Sequence, residues 1–280
     1  MADAERLRTE PLLDALRAKF PDVLVALDFD GPIAAIVDRP DDARPVDTAP
    51  RALRRLAERG VPVAIITGRD VETLLRLSGL SDLPGLTVLG VHGAQQWRGG
   101  ELTQVPEPEG LAELRSVLPE VVEAVDPAAW VEDKGLSLVV HVRAARHPEQ
   151  ALVHLRPRLQ AIAAQHELEV HDGKMVLEVR VPNFNKGTAM WTLLDRLEPG
   201  AALFAGDDVG DLPAFQALDE WSALTGRPSV RVAVGDLQAL RSRADIQCAD
   251  ATAVMELLDV IGGTSSAAGS QRPGAEQAGT

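Results

Sequence analysis

The first strong hydrophobic signal in the chain is Val23-Leu24-Val25-Ala26-Leu27, which is short, partly β-branched and without alternation. Unbroken apolar runs of this length suit central strands covered on both faces. The run ends in Asp28-Phe29-Asp30-Gly31, after which Thr48 is placed to N-cap a helix that tolerates Pro50 in its first turn and stops at Gly60. The same grammar then repeats. Val61-Pro62-Val63-Ala64-Ile65-Ile66 runs into Thr67-Gly68-Arg69, Asp70 can cap a helix over Val71–Ser78, and Leu86-Thr87-Val88-Leu89 leads to Gly90-Val91-His92-Gly93. Strands alternating with helices imply a parallel sheet and an α/β fold.

Between about Trp97 and Arg180 the texture changes. Leu136-Ser137-Leu138-Val139-Val140-His141-Val142-Arg143 partly alternates, as expected of a sheet with one buried face. A helix over Pro148–Gln165 and strands over Leu168–His171 and Val176–Val181 complete what reads as an inserted α/β lobe. The earlier grammar resumes with helix Gly187–Leu197, strand Ala201–Ala205, the loop Gly206-Asp207-Asp208, a helix near Pro213–Leu218, strand Val230–Val234 and a closing helix Ala253–Ile261. Residues 1–97 and 181–261 are therefore expected to form the core, 98–180 the inserted lobe, and 262–280, rich in Gly, Ser, Ala and Gln, a disordered tail. There are no internal repeats.

Composition narrows the function classes. The 280 residues carry 28 Lys and Arg against 42 Asp and Glu, a formal charge of −14, and no basic run interrupts it. Phosphate backbones and anionic head groups would be repelled, so neither a nucleic acid nor a membrane surface is an expected partner. Cys248 is the single cysteine, which excludes an internal disulfide framework and a Cys-based zinc site. Met1–Glu10 is polar and charged, and no apolar stretch approaches 18 residues. A cytoplasmic protein, neither secreted nor membrane-spanning, is expected. Tryptophans 97, 130, 191 and 221 read as core or lobe-packing residues.

The polar residues at strand ends carry the chemistry. Ligands of open parallel sheets bind outside the carboxyl ends of the strands, and four such ends here present Asp28 and Asp30, Thr67, His92, and Asp207 with Asp208. No Gly-x-Gly-x-x-Gly turn follows the first strand and no Gly-Lys-Ser/Thr loop is present. Carboxylates from two strand ends make a hard oxygen site, which suits Mg²⁺ that also holds phosphate oxygens. Each element alone has a plainer reading. Asp-x-Asp is common turn chemistry, Lys186 a solvated lysine at a helix start, His92 a buried hydrogen-bonding group, and Glu132, Lys134 and Glu178 surface ion pairs. Their joint occurrence at successive strand ends favours the catalytic reading.

Asp-Phe-Asp-Gly at 28–31, Ile-Thr-Gly-Arg at 66–69, Lys186-Gly187 and Gly-Asp-Asp-x-x-Asp at 206–211 resemble, in that order, the four motifs of the haloacid-dehalogenase phosphatase superfamily. Gly-Val-His-Gly at 90–93, Val-Glu-Asp-Lys-Gly-Leu-Ser-Leu at 131–138 and Val-Leu-Glu-Val-Arg at 176–180 resemble its trehalose-6-phosphate phosphatase branch, and the likeness runs roughly from Asp22 to Ile261. The resemblance implies a Rossmann-like core with an inserted α/β cap. It also implies a Mg²⁺-dependent enzyme that hydrolyses trehalose 6-phosphate to trehalose and phosphate, and a monomer is expected.

In that reading Asp28 forms an aspartyl-phosphate, and Asp30 protonates the leaving sugar oxygen and then activates water. Asp28, the Asp30 carbonyl and Asp207 hold the metal, with Asp208 and Asp211 either as outer ligands or as groups that support the ligands from behind. Thr67 and Lys186 donate to phosphate oxygens, and Gly68, Arg69, His92, Glu132, Lys134 and Glu178 meet the substrate. The chain departs from the family pattern at Pro32 and Ile33, where Thr usually follows the first motif, and at Gly210 and Leu212, which stand at polar positions. A related disaccharide or pseudodisaccharide phosphate is therefore the nearest alternative substrate. A phosphosugar mutase and a non-catalytic sugar-phosphate sensor are the remaining alternatives.

Overall fold

The computed structural model describes residues 2–37, 39–173 and 175–263, with side chains from residue 9 onward. The tail expected from 262 lies outside the described residues from position 264 on. An N-terminal helix, α1 (Ala2–Arg17), which the polar N-terminus did not suggest, buries Leu13 and Leu16 against the first core strand's layer. The chain continues through β1 (Val23–Leu27), α2 (Ala49–Glu58), β2 (Val63–Ile66), α3 (Val71–Ser78), β3 (Thr87–Gly90), β4 (Gln95–Arg98) and β5 (Glu101–Gln104). A second lobe follows, made of α4 (Glu109–Glu123), β6 (Trp130–Asp133), β7 (Ser137–His141), α5 (Pro148–Gln165), β8 (Glu169–Gly173) and β9 (Val176–Arg180). The first lobe then resumes with α6 (Lys186–Leu197), β10 (Ala201–Gly206), α7 (Leu212–Thr225), β11 (Ser229–Val234), α8 (Gln238–Arg241), β12 (Ile246–Cys248) and α9 (Ala251–Ile261).

Eight strands form the large sheet in the order β12-β11-β10-β1-β2-β3-β4-β5, parallel from β12 to β3. The alternation hidden inside the apolar runs divides them between two layers. Val23, Val25 and Leu27 pack with α1, α2, α3 and α9, while Leu24 and Ala26 pack with α6 and α7, where Phe204 meets Phe215 edge to face. Both faces are thus covered, as unalternating strands require. Thr48 stands where an N-cap was expected, but its backbone is already helical. Its side chain makes no cap bond and its carbonyl receives Ala52 N–H instead.

The large sheet also extends past the boundary expected at residue 97. Gly99 and Gly100, both at positive φ, turn β4 into β5 and add an antiparallel hairpin to the edge of β3.

The sheet of the second lobe is antiparallel, in the order β6-β7-β9-β8. One face, with Leu138, Val140, Leu177 and Val179, packs on Leu111, Leu114 and Leu118 of α4 and Leu155 and Leu159 of α5. The opposite face is polar and is turned toward the first lobe. For that reason β7 is buried at all five positions, not on the single face its alternation implied. Where the chain passes between lobes, Val91, Ala94 and Leu136 form a small apolar cluster with Val105, Val181 and Phe184. Among the described residues no helix is long and apolar enough to cross a membrane.

Candidate active site

The carboxyl ends of β1, β2, β3 and β10 converge on Asp28. Its backbone N–H is tied to Ala205 O at 2.9 Å, and the residue is 5% exposed. Lys186, at the first turn of α6 behind the Asn185 N-cap, donates to Asp28 Oδ2 and to Asp211 Oδ1, each at 2.6 Å. The other oxygen of Asp211 receives the backbone N–H groups of Asp207 at 2.8 Å and Asp208 at 3.0 Å. Two glycines make the packing possible. A Cβ at Gly206 would lie 2.3 Å from the Asp211 carboxyl carbon, and one at Gly31, where φ is +87°, would lie 2.5 Å from that of Asp207.

Asp28, Asp207 and Asp211 can place one oxygen each within 4.8 Å of one another, a group that could hold a metal ion. Asp208 is not in this group. Its side chain instead accepts from Gly210 N–H at 2.7 Å and closes the turn before α7. Asp211, assigned an outer place by resemblance, is the completely buried member. Burial, together with the neighbouring carboxylates, pushes Asp28 well above its ordinary range against the pull of Lys186, and raises Asp207 to about 7. Lys186 stays protonated, because the charges of Asp211 and Asp28 outweigh its own desolvation.

The loop after β2 supplies Thr67, whose Oγ1 accepts from Arg69 N–H at 3.2 Å. Arg69 holds Asp30 in a two-pronged fork, Nε to Oδ2 at 2.8 Å and a terminal nitrogen to Oδ1 at 2.7 Å. The loop after β3 is pinned beside it. Val91 and His92 both lie in left-handed backbone, at φ 45° and 57°, while their N–H groups bond Arg69 O and Thr67 O, each at 2.9 Å. Left-handed backbone is strained for any side chain and most of all for β-branched Val91, and such strain persists where surrounding contacts over-determine it. The strained turn brings the His92 ring against Gly68, where a Cβ would come within 3.0 Å of it.

His92 then bridges to the second lobe. Burial lowers its pKa, so the neutral ring presents Nε2–H to Glu178 at 3.3 Å. Glu132, Val139 and Glu178 lie in one cross-strand row, Trp130, His141 and Val176 in the next on one side, and Ser137 with Arg180 on the other. His141 Nε2 donates to Glu132 at 2.8 Å. The His141 hydrogen bond, helped by Lys134 and Arg69, lowers the pKa of Glu132 against its burial. Burial would raise Glu178, yet His92, Lys134 and Arg180 hold it well below the usual carboxylate range.

Glu132, Lys134 and Glu178 are thus brought together, across from Arg69 and His92. Arg180 is 7% exposed, and Trp130, expected to be packed, is 46% exposed on this same face. Among the described residues, the buried side-chain polar atoms that lack a partner are Ser137 Oγ, His141 Nδ1, Glu178 Oε1 and Arg180 Nε, all on this face.

Known proteins share this arrangement of sequence and fold. The sequence model of the trehalose-phosphatase family matches residues 26–245. A trehalose-phosphate phosphatase of Mycobacterium leprae (strain TN) is 33% identical over 235 residues, covering 76% of this chain and 51% of that protein. The chain spans about half the length of the first curated relatives it matches. The trehalose-6-phosphate phosphatase of Escherichia coli (strain K12) is 30% identical over 237 residues, covering 82% of this chain and 85% of the relative. Among solved structures, trehalose-6-phosphate phosphatase of Aspergillus fumigatus superposes with a TM-score of 0.68 at 26% identity, over 92% of this chain and 98% of the other.

Proposed function

The chain belongs to the trehalose-phosphatase family, and from that premise we propose that it hydrolyses the phosphate monoester of a disaccharide, trehalose 6-phosphate, with Mg²⁺. The observation that carries the reading is the placement of buried Asp28, bonded to Lys186, opposite a lobe whose Glu132, Lys134 and Glu178 face it across His92. Phosphate monoesters are among the slowest substrates to hydrolyse uncatalysed, which favours splitting the reaction through a covalent step. The Asp28 carboxylate attacks phosphorus as the bond to the sugar oxygen breaks, and Asp30 delivers a proton to that oxygen. Water, deprotonated by Asp30, then attacks the aspartyl-phosphate and releases phosphate with Asp28 restored.

Within the Arg69 fork Asp30 is an acceptor only, so it must leave that fork and take a proton before it can act as the acid. Lys186 and the Thr67 hydroxyl donate to phosphate oxygens in this reading, and the second lobe acts as a cap that excludes water from the first half-reaction.

The donor set fits a hard divalent cation. Three carboxylates lie within reach of one another, and burial raises all three because a single lysine leaves their charge under-compensated. Asp28 and Asp207 would hold Mg²⁺, with Asp211 completing the group; when bound, the ion offsets the repulsion between carboxylate and phosphate.

The test is release of free phosphate from a panel of mono- and disaccharide phosphates and an aryl phosphate, with Mg²⁺ or with excess chelator. Mg²⁺-dependent release that is fastest with the disaccharide phosphate is expected. Undiminished turnover in chelator overturns the metal assignment. Isomerised phosphosugar without free phosphate would make the chain a mutase, and binding without either product would make it a sensor.

A further inference from the structure

Trp130 is the large side chain on the polar face of the cap that the proposed chemistry leaves without a task. Its indole stacks on the His141 imidazole, with ring centroids 3.9 Å apart and planes 7° from parallel. One face of the indole is thereby covered, and the residue keeps 46% of its surface exposed. A packing tryptophan has no such free surface: Trp221, between α7 and the large sheet, is 4% exposed. Holding an indole half in water is unfavourable by the apolar area it leaves wet.

The rigid backing is equally informative. His141 is 5% exposed, bonds Glu132 through Nε2 and has no partner at Nδ1. Trp130 and Glu132 lie two residues apart on one strand and so share a face. Trp130, His141 and Glu132 therefore form one unit, an aromatic plate beside a carboxylate, in the cross-strand rows that also hold Glu178.

An aromatic plate with an adjacent acceptor matches the chemistry of a pyranose ring. Such a ring presents a face of C–H groups that packs on an aromatic surface, and a rim of hydroxyls that donate to carboxylates. We propose that Trp130 is the stacking platform for the sugar ring that does not carry the phosphate, and that His141 is the positioning residue that holds the indole and Glu132 in register. The assignment rests on the disaccharide-phosphate reading above. It adds the residue that selects a second ring over a single one, where Glu132, Lys134 and Glu178 supply polar contacts only.

Two measurements on the full chain test it. In the first, Trp130→Leu and Trp130→Phe are compared with the parent for kcat/KM on trehalose 6-phosphate divided by kcat/KM on an aryl phosphate. The ratio is expected to fall about 5- to 100-fold in the leucine variant, the span that aromatic stacking platforms show on truncation, and to recover most of the way in the phenylalanine variant. A ratio unchanged in Trp130→Leu, or lost equally in Trp130→Phe, overturns the platform.

The second measurement does not depend on catalysis. The protein is labelled with 5-fluorotryptophan, the Trp130 resonance is assigned by its loss in Trp130→Phe, and neutral trehalose is added. The Trp130 signal should shift in a saturable way while those of Trp97, Trp191 and Trp221 stay in place. A Trp130 signal that does not move overturns the proposal whatever the assay gives. A signal that moves in a protein releasing no phosphate counts against the phosphatase reading and supports the sugar platform.

Discussion

At the carboxyl edge of the large sheet, Asp28, Lys186, Asp211 and Thr67 are all buried, and each has a hydrogen-bonding partner inside the protein. Across the cleft, the cap presents Ser137 Oγ, His141 Nδ1, Glu178 Oε1 and Arg180 Nε, buried and without partners. A buried polar group left unmade costs about 1–3 kcal/mol, so the two surfaces pose opposite problems. The core has its hydrogen bonds and lacks positive charge, since several carboxylates share one buried lysine. The cap balances its charges in pairs and lacks neutral donors and acceptors. A cation answers the first deficit and sugar hydroxyls the second. Chemistry and recognition are thus separated not only in space but in what each surface needs from its ligand.

The largest effect that can break this comparison is on the core side. Asp28→Asn keeps the shape and removes the nucleophile, so phosphate release should fall by about 10⁴- to 10⁶-fold, as for other covalent nucleophiles, while binding of the disaccharide phosphate persists. Turnover within tenfold of the parent would show that Asp28 is not the attacking group. Next in size is Lys186→Met, which leaves Asp28 and Asp211 buried without their shared cation. Chemical denaturation in chelator should show a loss of about 3–5 kcal/mol, the range for breaking a buried ion pair from one side. Lys134, partly exposed on the cap, should give less than about 1 kcal/mol in the same experiment.

The same contrast explains how far the sequence could be read. Core residues announce themselves because each follows an apolar run: Asp28 after β1, Thr67 after β2, His92 after β3 and Asp207 after β10. Which of three nearby aspartates turns inward was less legible, since Asp207, Asp208 and Asp211 share one short loop. The available signal was Gly206, whose missing Cβ leaves the space that the Asp211 carboxylate fills. Glu132, Lys134 and Glu178 emerged by resemblance, because cross-strand register is not written in spacing. His141, Arg180 and Trp130 went unassigned for a related reason. Alternation tells which residues share a face but not that a polar face will be buried by another lobe. The hairpin β4–β5 was missed although Gly99-Gly100 marks its turn, and α1 because its charged positions mask Leu13 and Leu16.

A smaller effect sharpens the cap side of the comparison. Lys134→Ala and Glu132→Ala should each lower the ratio of kcat/KM for trehalose 6-phosphate to that for an aryl phosphate by about 10–1000-fold, as expected for lost charged hydrogen bonds. An equal loss on both substrates would move the pair from sugar recognition to the chemical centre.

The smallest effect, and the one that sets the two surfaces directly against each other, is on stability as pH changes. Asp207 is raised to about 7 by burial and by Asp211 and Asp208, from an ordinary value of 3.8. The folded protein therefore holds a proton that the unfolded chain releases, and without metal its stability falls as pH rises from about 4 through about 7. Glu178 and Glu132 are held low, so their contribution is complete above the ordinary carboxylate range and is lost only as pH falls below it. Taking roughly 1 kcal/mol for a group partly screened by water, this loss should appear in chelator as a fall of about 2–4 °C between pH 5 and pH 8 in the Tm of the parent measured against Asp207→Asn; His92, whose pKa burial lowers, gives both proteins the same opposite slope, which cancels in the difference. Saturating Mg²⁺, which binds the ionised carboxylates, should raise Tm more at pH 8 than at pH 6 and so reverse the fall. If the Tm of the parent in chelator instead climbed relative to that of Asp207→Asn from pH 5 to pH 8, the carboxylates around Asp28 would already be neutralised by the protein itself, and the division between a cation-deficient core and a hydroxyl-deficient cap would fail.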